Sequence, residues 1–189
     1  MNKFIFVYGK IGSGKSYTTE SLRKFLDEIK TDIKIYNTDK IAKDIMNTDK
    51  YMKDMITSFG FDFYNLQPKD VFSDNWQNYI QPVLNKLIFN KILEYQEYAQ
   101  YKLSIVECAI VPSVFYPFIY SSLYISEEYN IRLSRVVARG KSEEYFKAID
   151  EFQSKHINSV SGSTTNIKTC ECHILQYMIK LAYSSHVTV

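Results

Sequence analysis

Phe4-Ile5-Phe6-Val7-Tyr8 is a short run of aromatic and β-branched residues that stops at Gly9, the pattern of a strand buried on both faces. From Ser16 onward the period changes: Leu22, Phe25, Leu26 and Ile29 recur at i, i+3, i+4 and i+7, which predicts a helix with one apolar face turned to a sheet. A second strand is predicted from Asp32 to Tyr36, leading into Asn37-Thr38-Asp39. Strand and helix patterns in alternation predict an α/β fold, a parallel sheet flanked by helices.

The stretch from Ile41 to Tyr98 reads as mostly helical, cut by turn chemistry at Phe59-Gly60-Phe61-Asp62 and around Pro68. Its longest helix carries the stripe Ile80, Val83, Leu84, Leu87 and Ile88, with Pro82 accommodated in the first turn. Strands are predicted at Leu103 to Val111 and Ser122 to Ile125, joined by a loop held by Pro112 and Pro117. Ser126 is placed to cap a helix running to Arg139, and Gly140 to end it. Two more helices are expected, Ser142 to Gln153, with Tyr145, Phe146, Ile149 and Phe152 on one face, and roughly Lys168 to Tyr183. Between them Ser159 to Asn166 reads as a mobile polar linker.

Composition narrows the class. A 189-residue chain that is 46% hydrophobic, with 6 Gly and 4 Pro, can bury a core and is neither collagen-like nor disordered. A net charge of +2 gives no case for a nucleic-acid partner. No apolar run is long enough for a membrane span, and no signal segment opens the chain, so a cytoplasmic protein without a membrane partner is expected. Cys108, Cys170 and Cys172 make an odd count at spacings unlike a secreted disulfide framework, which agrees with a reducing compartment.

Three of the six glycines fall in Gly9-Lys10-Ile11-Gly12-Ser13-Gly14-Lys15-Ser16, a full match to the phosphate-loop pattern GxxxxGK[ST]. Between a buried strand and an amphipathic helix, such a loop curls its backbone N–H groups around a β-phosphate at the positive end of the helix. Lys15 then bridges the β- and γ-phosphates, and the Ser16 hydroxyl holds Mg²⁺. ATP and Mg²⁺ are the expected cofactors. The same loop serves motors, switches and kinases, and the compact size with helical inserts favours a small-molecule kinase.

Other residues extend the site. Arg132, Arg135 and Arg139 share a helix face ahead of a possible hinge at Gly140, an arrangement suited to closing over polyphosphate, or to an ordinary solvated basic face. Asp39 follows the second strand at its carboxyl end, where ligands bind in open α/β sheets. There it can accept the proton of an attacking hydroxyl or help to position Mg²⁺; the plainer alternative is a helix N-cap. Glu107, in the third apolar run, suits either a place near the metal or the exposed end of a strand. Cys170-Glu171-Cys172-His173 has the look of a metal fragment, but no second ligand cluster completes a tetrahedral site.

From Phe4 to Gln153 the chain resembles the dephospho-coenzyme A kinase family. The resemblance rests on Gly9 to Ser16; Asn37-Thr38-Asp39-Lys40-Ile41-Ala42, similar to the family's Asp-Ala-Asp-x-Ile-Ala; Ser58-Phe59-Gly60; Val71-Phe72-Ser73-Asp74; Gln81-Pro82, where the family has His-Pro; and Arg135 to Glu144, similar to its lid. It implies one kinase domain with a core of about 1–40 and 100–126 plus the C-terminal helix, a helical substrate-binding insert of about 41–99, and an Arg-bearing lid of about 127–155. It also implies transfer of the ATP γ-phosphoryl to the ribose 3′-hydroxyl of dephospho-coenzyme A. Asp39, Lys15 and Arg139 are then the catalytic residues, and Gly9, Ile11, Gly12, Ser13, Gly14, Lys15, Ser16, Thr19, Arg135 and Arg139 the nucleotide-binding ones, with Ser16 on the metal. Asn37 and Gln81 depart from the family pattern, as does the segment after Glu107. A nucleoside or nucleoside monophosphate kinase, and an ATP-binding module without catalysis, are the alternatives.

Overall fold

The structure is a computed structural model that describes residues 3–31, 33–97, 103–157 and 164–168. In chain order the elements are β1 (Lys3–Tyr8), α1 (Lys15–Glu28), β2 (Lys34–Asn37), α2 (Thr38–Thr48), α3 (Lys50–Ser58), α4 (Pro68–Val71), α5 (Gln81–Glu97), β3 (Leu103–Cys108), β4 (Ile119–Ser126), α6 (Tyr129–Val137), α7 (Glu143–His156) and β5 (Thr164–Lys168). The strands form a parallel sheet in the order β2-β3-β1-β4-β5. The order reverses beside β1, which places the loop after β1 at the crevice where such sheets bind ligands.

Both faces of the sheet are covered, and β1 shows how. Phe4, Phe6 and Tyr8 point into an aromatic core shared with Ile88, Phe89 and Phe115, while Ile5 and Val7 point to the other side against Leu22 and Leu26 of α1. Period-2 alternation of a strand that is apolar from Phe4 to Tyr8 requires this two-sided burial. Phe4 and Phe6 meet Phe115 edge-on at ring centroid distances of 5.4 and 5.2 Å. Trp76 and Ile80 anchor the helical insert to the same aromatic core.

The predicted framework stands, with several boundaries moved. β2 begins at Lys34 and extends to Asn37, and β3 stops at Cys108, three residues before Val111. Residues 113–118, expected as loop, form 3₁₀ turns that run directly into β4, which starts at Ile119 instead of Ser122. The helix containing Pro82 is preceded by a π-helical turn, Trp76–Ile80, and Pro82 is the second residue of α5. Ser126 does not cap α6: the N-cap is Glu128, without a side-chain cap, and the helix ends at Val137 ahead of a turn closed by Gly140. α7 is capped by Ser142, whose hydroxyl accepts from the Tyr145 N–H at 3.1 Å, and continues past Gln153 to His156. Part of the expected linker is instead β5, paired with β4 from Ser122↔Thr164 to Ser126↔Lys168. The predicted last helix, except Lys168 in β5, and the Cys170-to-His173 segment lie outside the described residues. Among the described residues no helix is long and apolar enough to cross a membrane.

Candidate active site

Gly9 to Ser16 curls between β1 and α1. At Gly12, φ is +75°, and a Cβ would meet the Arg132 carbonyl oxygen at 2.5 Å and its Cα at 2.9 Å, so the residue must be glycine for both reasons. Helix α6 therefore rests directly on the loop. Arg135 Nη1 donates to the carbonyls of Gly12 and Ser13 at 3.1 and 3.3 Å, and its Nη2 pairs with Glu127 at 3.0 Å. Arg132 is 5% exposed, ion-paired with Asp150, and donates to the Ile11 and Glu127 carbonyls.

These contacts distinguish the three arginines in this structure. Arg132 and Arg135 are spent on the loop's carbonyls and on carboxylates of this chain, and thereby brace the loop from outside; partners distant in sequence decide this. Arg139 lies beyond the end of α6 and is exposed, and its positive charge acts on Lys15.

Lys15, the first residue of α1, folds back over the loop and donates through Nζ to the Gly9 and Lys10 carbonyls at 2.8 and 3.1 Å. Burial lowers its pKa, opposed by the negative charges of Asp39 and Glu107. Ser16 and Thr19 converge on Glu107: the Ser16 hydroxyl donates to Oε1 and the Thr19 hydroxyl to Oε2, both at 2.7 Å. Glu107 is 6% exposed in β3, beside the loop strand, so it is no exposed strand end. The Thr19 side chain is turned to Glu107, and Thr38 Oγ1 donates to the Glu107 carbonyl at 3.2 Å, which ties β3 to the start of α2.

Asp39 lies in the first turn of α2. The helix is capped by Asn37, whose side chain accepts from the Lys40 N–H at 3.0 Å, so capping does not occupy Asp39. The cleft walls push its carboxyl above the usual carboxylate range, with the Lys15 ammonium partly offsetting this and Glu107 adding to it. Asp39 opens onto a cavity of about 400 Å³ lined by Gln77, Gln81, Asn85, Ile88 and, from α7, Phe152 and Gln153, among others. This size falls in the range of small-molecule sites. Within it Gln81 accepts from Trp76 Nε1 at 3.0 Å and donates to Asn85 Oδ1 at 2.9 Å, so the residue standing where the resemblance expects His is fixed by two bonds. Phe72 of the insert stacks on Phe152 of α7, centroids 4.3 Å apart.

The sequence missed α7 as a wall of this cavity. Its pattern shows only that Tyr145, Phe146, Ile149 and Phe152 share one face, and nothing local marks Gln153. The structure thus brings Lys15, Ser16, Asp39 and Arg139 around one loop, adds Glu107 to them, and sets Arg132 and Arg135 behind it.

Oxygen ligands suit Mg²⁺. The Ser16 hydroxyl, held against the buried Glu107 carboxylate, supplies that chemistry beside the phosphate loop. Among the described residues no group of three or more His, Cys, Asp or Glu is arranged as a metal site of its own.

Sequence comparison finds no matching family model and no matching curated protein. Solved structures do match. TT1252 from Thermus thermophilus superposes with a TM-score of 0.67 at 18% identity, over 97% of this chain and 98% of that one. A shikimate kinase from Bacteroides thetaiotaomicron gives 0.55 at 12% identity, over 94% and 98%. A deoxyadenosine kinase from M. mycoides gives 0.50 at 16% identity, over 96% and 99%. With strand order, loop and neighbours in agreement, the chain has the fold of the P-loop kinases.

Proposed function

We propose that this chain is an ATP-dependent phosphotransferase acting on an alcohol, with dephospho-coenzyme A as acceptor and its ribose 3′-hydroxyl as the attacking group. The observation that carries the reading is the position of Asp39, which lines a cavity while its charge acts on Lys15 of the phosphate loop. The acceptor assignment rests on the resemblance at the Asn37-to-Ala42 and Arg135-to-Glu144 segments.

In this reading the amides of Gly12 to Ser16 and the Lys15 ammonium hold the polyphosphate, and Arg139 comes to it from the turn after α6. Asp39 accepts the proton of the acceptor hydroxyl. The oxygen attacks the γ-phosphorus, the new P–O bond forms as the bond to the β–γ bridging oxygen breaks, and ADP leaves. A raised carboxyl pKa suits this role, since a stronger base takes the proton more readily. Positioning and charge neutralisation supply most of the catalysis in phosphoryl transfer. Ser16, with Glu107 behind it, would hold Mg²⁺, which supplies further neutralisation of phosphate charge when bound. A cytoplasmic setting and a role in making coenzyme A go with the same proposal.

The test is ADP release in MgATP against dephospho-coenzyme A, adenosine, AMP and shikimate. Dephospho-coenzyme A is expected to give the largest kcat/KM. A response to adenosine or AMP alone replaces the acceptor by a nucleoside or its monophosphate. MgATP binding with no acceptor response leaves a binding module and overturns the proposal.

A further inference from the structure

Gln153 stands where the phosphate loop and the acceptor cavity meet. It is 7% exposed on α7, and its Oε1 accepts from the Ile11 backbone N–H at 2.7 Å. Ile11 is held at its other end as well, where its carbonyl accepts from Arg132. The adjacent residue Ser154 accepts from Lys10 Nζ at 2.7 Å, so α7 grips two consecutive residues of the loop. The same helix contributes Phe152, Gln153 and His156 to the wall of the cavity that holds Asp39.

A planar carboxamide whose oxygen is fixed by a backbone N–H has its NH2 group fixed too, turned away from that donor. The Gln153 Nε2 makes no hydrogen bond among the described residues. The Nε2 end keeps access to the cavity that Gln153 lines, and an acceptor oxygen can reach it there. Asp39 supplies the cavity with a proton acceptor; Gln153 is suited to supply a donor beside the loop.

We propose that Gln153 is a substrate-positioning residue of the transfer reaction: its oxygen holds the phosphate loop through Ile11, and its NH2 donates to an oxygen of the acceptor in the cavity. This rests on the phosphotransferase reading above. It aligns the acceptor with the γ-phosphoryl, because one side chain ties the acceptor to the loop that holds the nucleotide.

Two substitutions separate the roles. Gln153→Glu keeps an oxygen for the Ile11 N–H and replaces the donor with an acceptor, whereas Gln153→Leu removes both. Gln153→Glu is expected to hold MgATP affinity within about threefold while the KM for dephospho-coenzyme A rises about tenfold or more, because a donor to the acceptor is replaced by a second acceptor. Gln153→Leu is expected to weaken MgATP binding in addition. If Gln153 only braces the loop, Gln153→Glu restores the acceptor KM to within about twofold of the parent, and the proposal is overturned. If the unsubstituted protein binds MgATP and transfers to no alcohol, the phosphotransferase reading itself fails and takes this inference with it. Should Gln153→Glu fold poorly, ¹⁵N–¹H spectra of the unsubstituted protein decide. The Gln153 NH2 pair, identified by its absence in Gln153→Leu, is expected to move when dephospho-coenzyme A is added to the MgADP-bound protein. Movement of the Gln81 and Asn85 pairs without it refutes the role.

Discussion

Gly12 and Gly140 share a left-handed backbone, φ +75° and +76°, in opposite surroundings. A Cβ on Gly140 meets nothing within 4 Å, whereas on Gly12 it lands 2.5 Å from a backbone oxygen of α6. Gly140→Ala therefore isolates the conformational term, about 1–2 kcal/mol for an L-residue forced left-handed. Gly12→Ala carries the same term and must also push α6 outward by most of an ångström. That adds an overpacking cost of about 1–3 kcal/mol and disturbs the Arg132 and Arg135 bonds that brace the loop. At about 2–4 °C per kcal/mol for a domain of this size, Gly12→Ala should melt about 2–12 °C below Gly140→Ala. Differential scanning calorimetry measures the gap, and titration with MgATP measures the second consequence, a loss of affinity confined to Gly12→Ala. Equal melting temperatures, or unchanged MgATP affinity in Gly12→Ala, would show that α6 does not seat on the loop as described.

Glu107→Gln should raise the Mg²⁺ concentration for half-maximal turnover by about tenfold or more, since the carboxylate that holds the Ser16 and Thr19 hydroxyls is lost; an unchanged Mg²⁺ titration refutes the assignment. Arg132→Met leaves Asp150 without its buried partner and should cost about 3–5 kcal/mol in urea unfolding, most of it recovered when Asp150→Leu is added, whereas equal single and double losses contradict the pairing. The raised Asp39 pKa should place the acid limb of kcat/KM above the usual carboxylate range. For stability the same shift has a fixed sign: a folded pKa above the unfolded one gives a contribution present below the unfolded value and lost as pH rises through the folded one. Asp39→Asn should therefore melt higher than the parent at pH 7, with the gap closing near pH 4; a gap of the opposite sign would refute the shift.

The phosphate loop and the elements on either side of it were legible because their signals are local. Glycine spacing, a β-branched run and a 3.6-residue period each need only a few neighbouring residues to be read. Asp39 was legible for a related reason, since the end of a parallel strand is a ligand address in any such sheet. What the sequence hid depends on partners far along the chain. The i, i+3, i+7 spacing of Arg132, Arg135 and Arg139 gives a shared face, but it does not show that Arg132 meets Asp150 or that Arg135 meets the carbonyls of Gly12 and Ser13. β5 has the polar sequence Thr164-Thr165-Asn166-Ile167-Lys168 and lies in a stretch with linker composition, so only pairing with β4 reveals it. Ser121 hid the start of β4 in the same way, as a buried polar residue ahead of the strand predicted from Ser122.

The account stands on Asp39 acting as the base beside a loop that binds nucleotide without it. Turnover and MgATP affinity measured together on Asp39→Asn test this most directly. The expected result is a loss of turnover of about a hundredfold or more, within the contribution of general base catalysis, with MgATP affinity held within about threefold. Near-normal turnover in that variant would contradict the account.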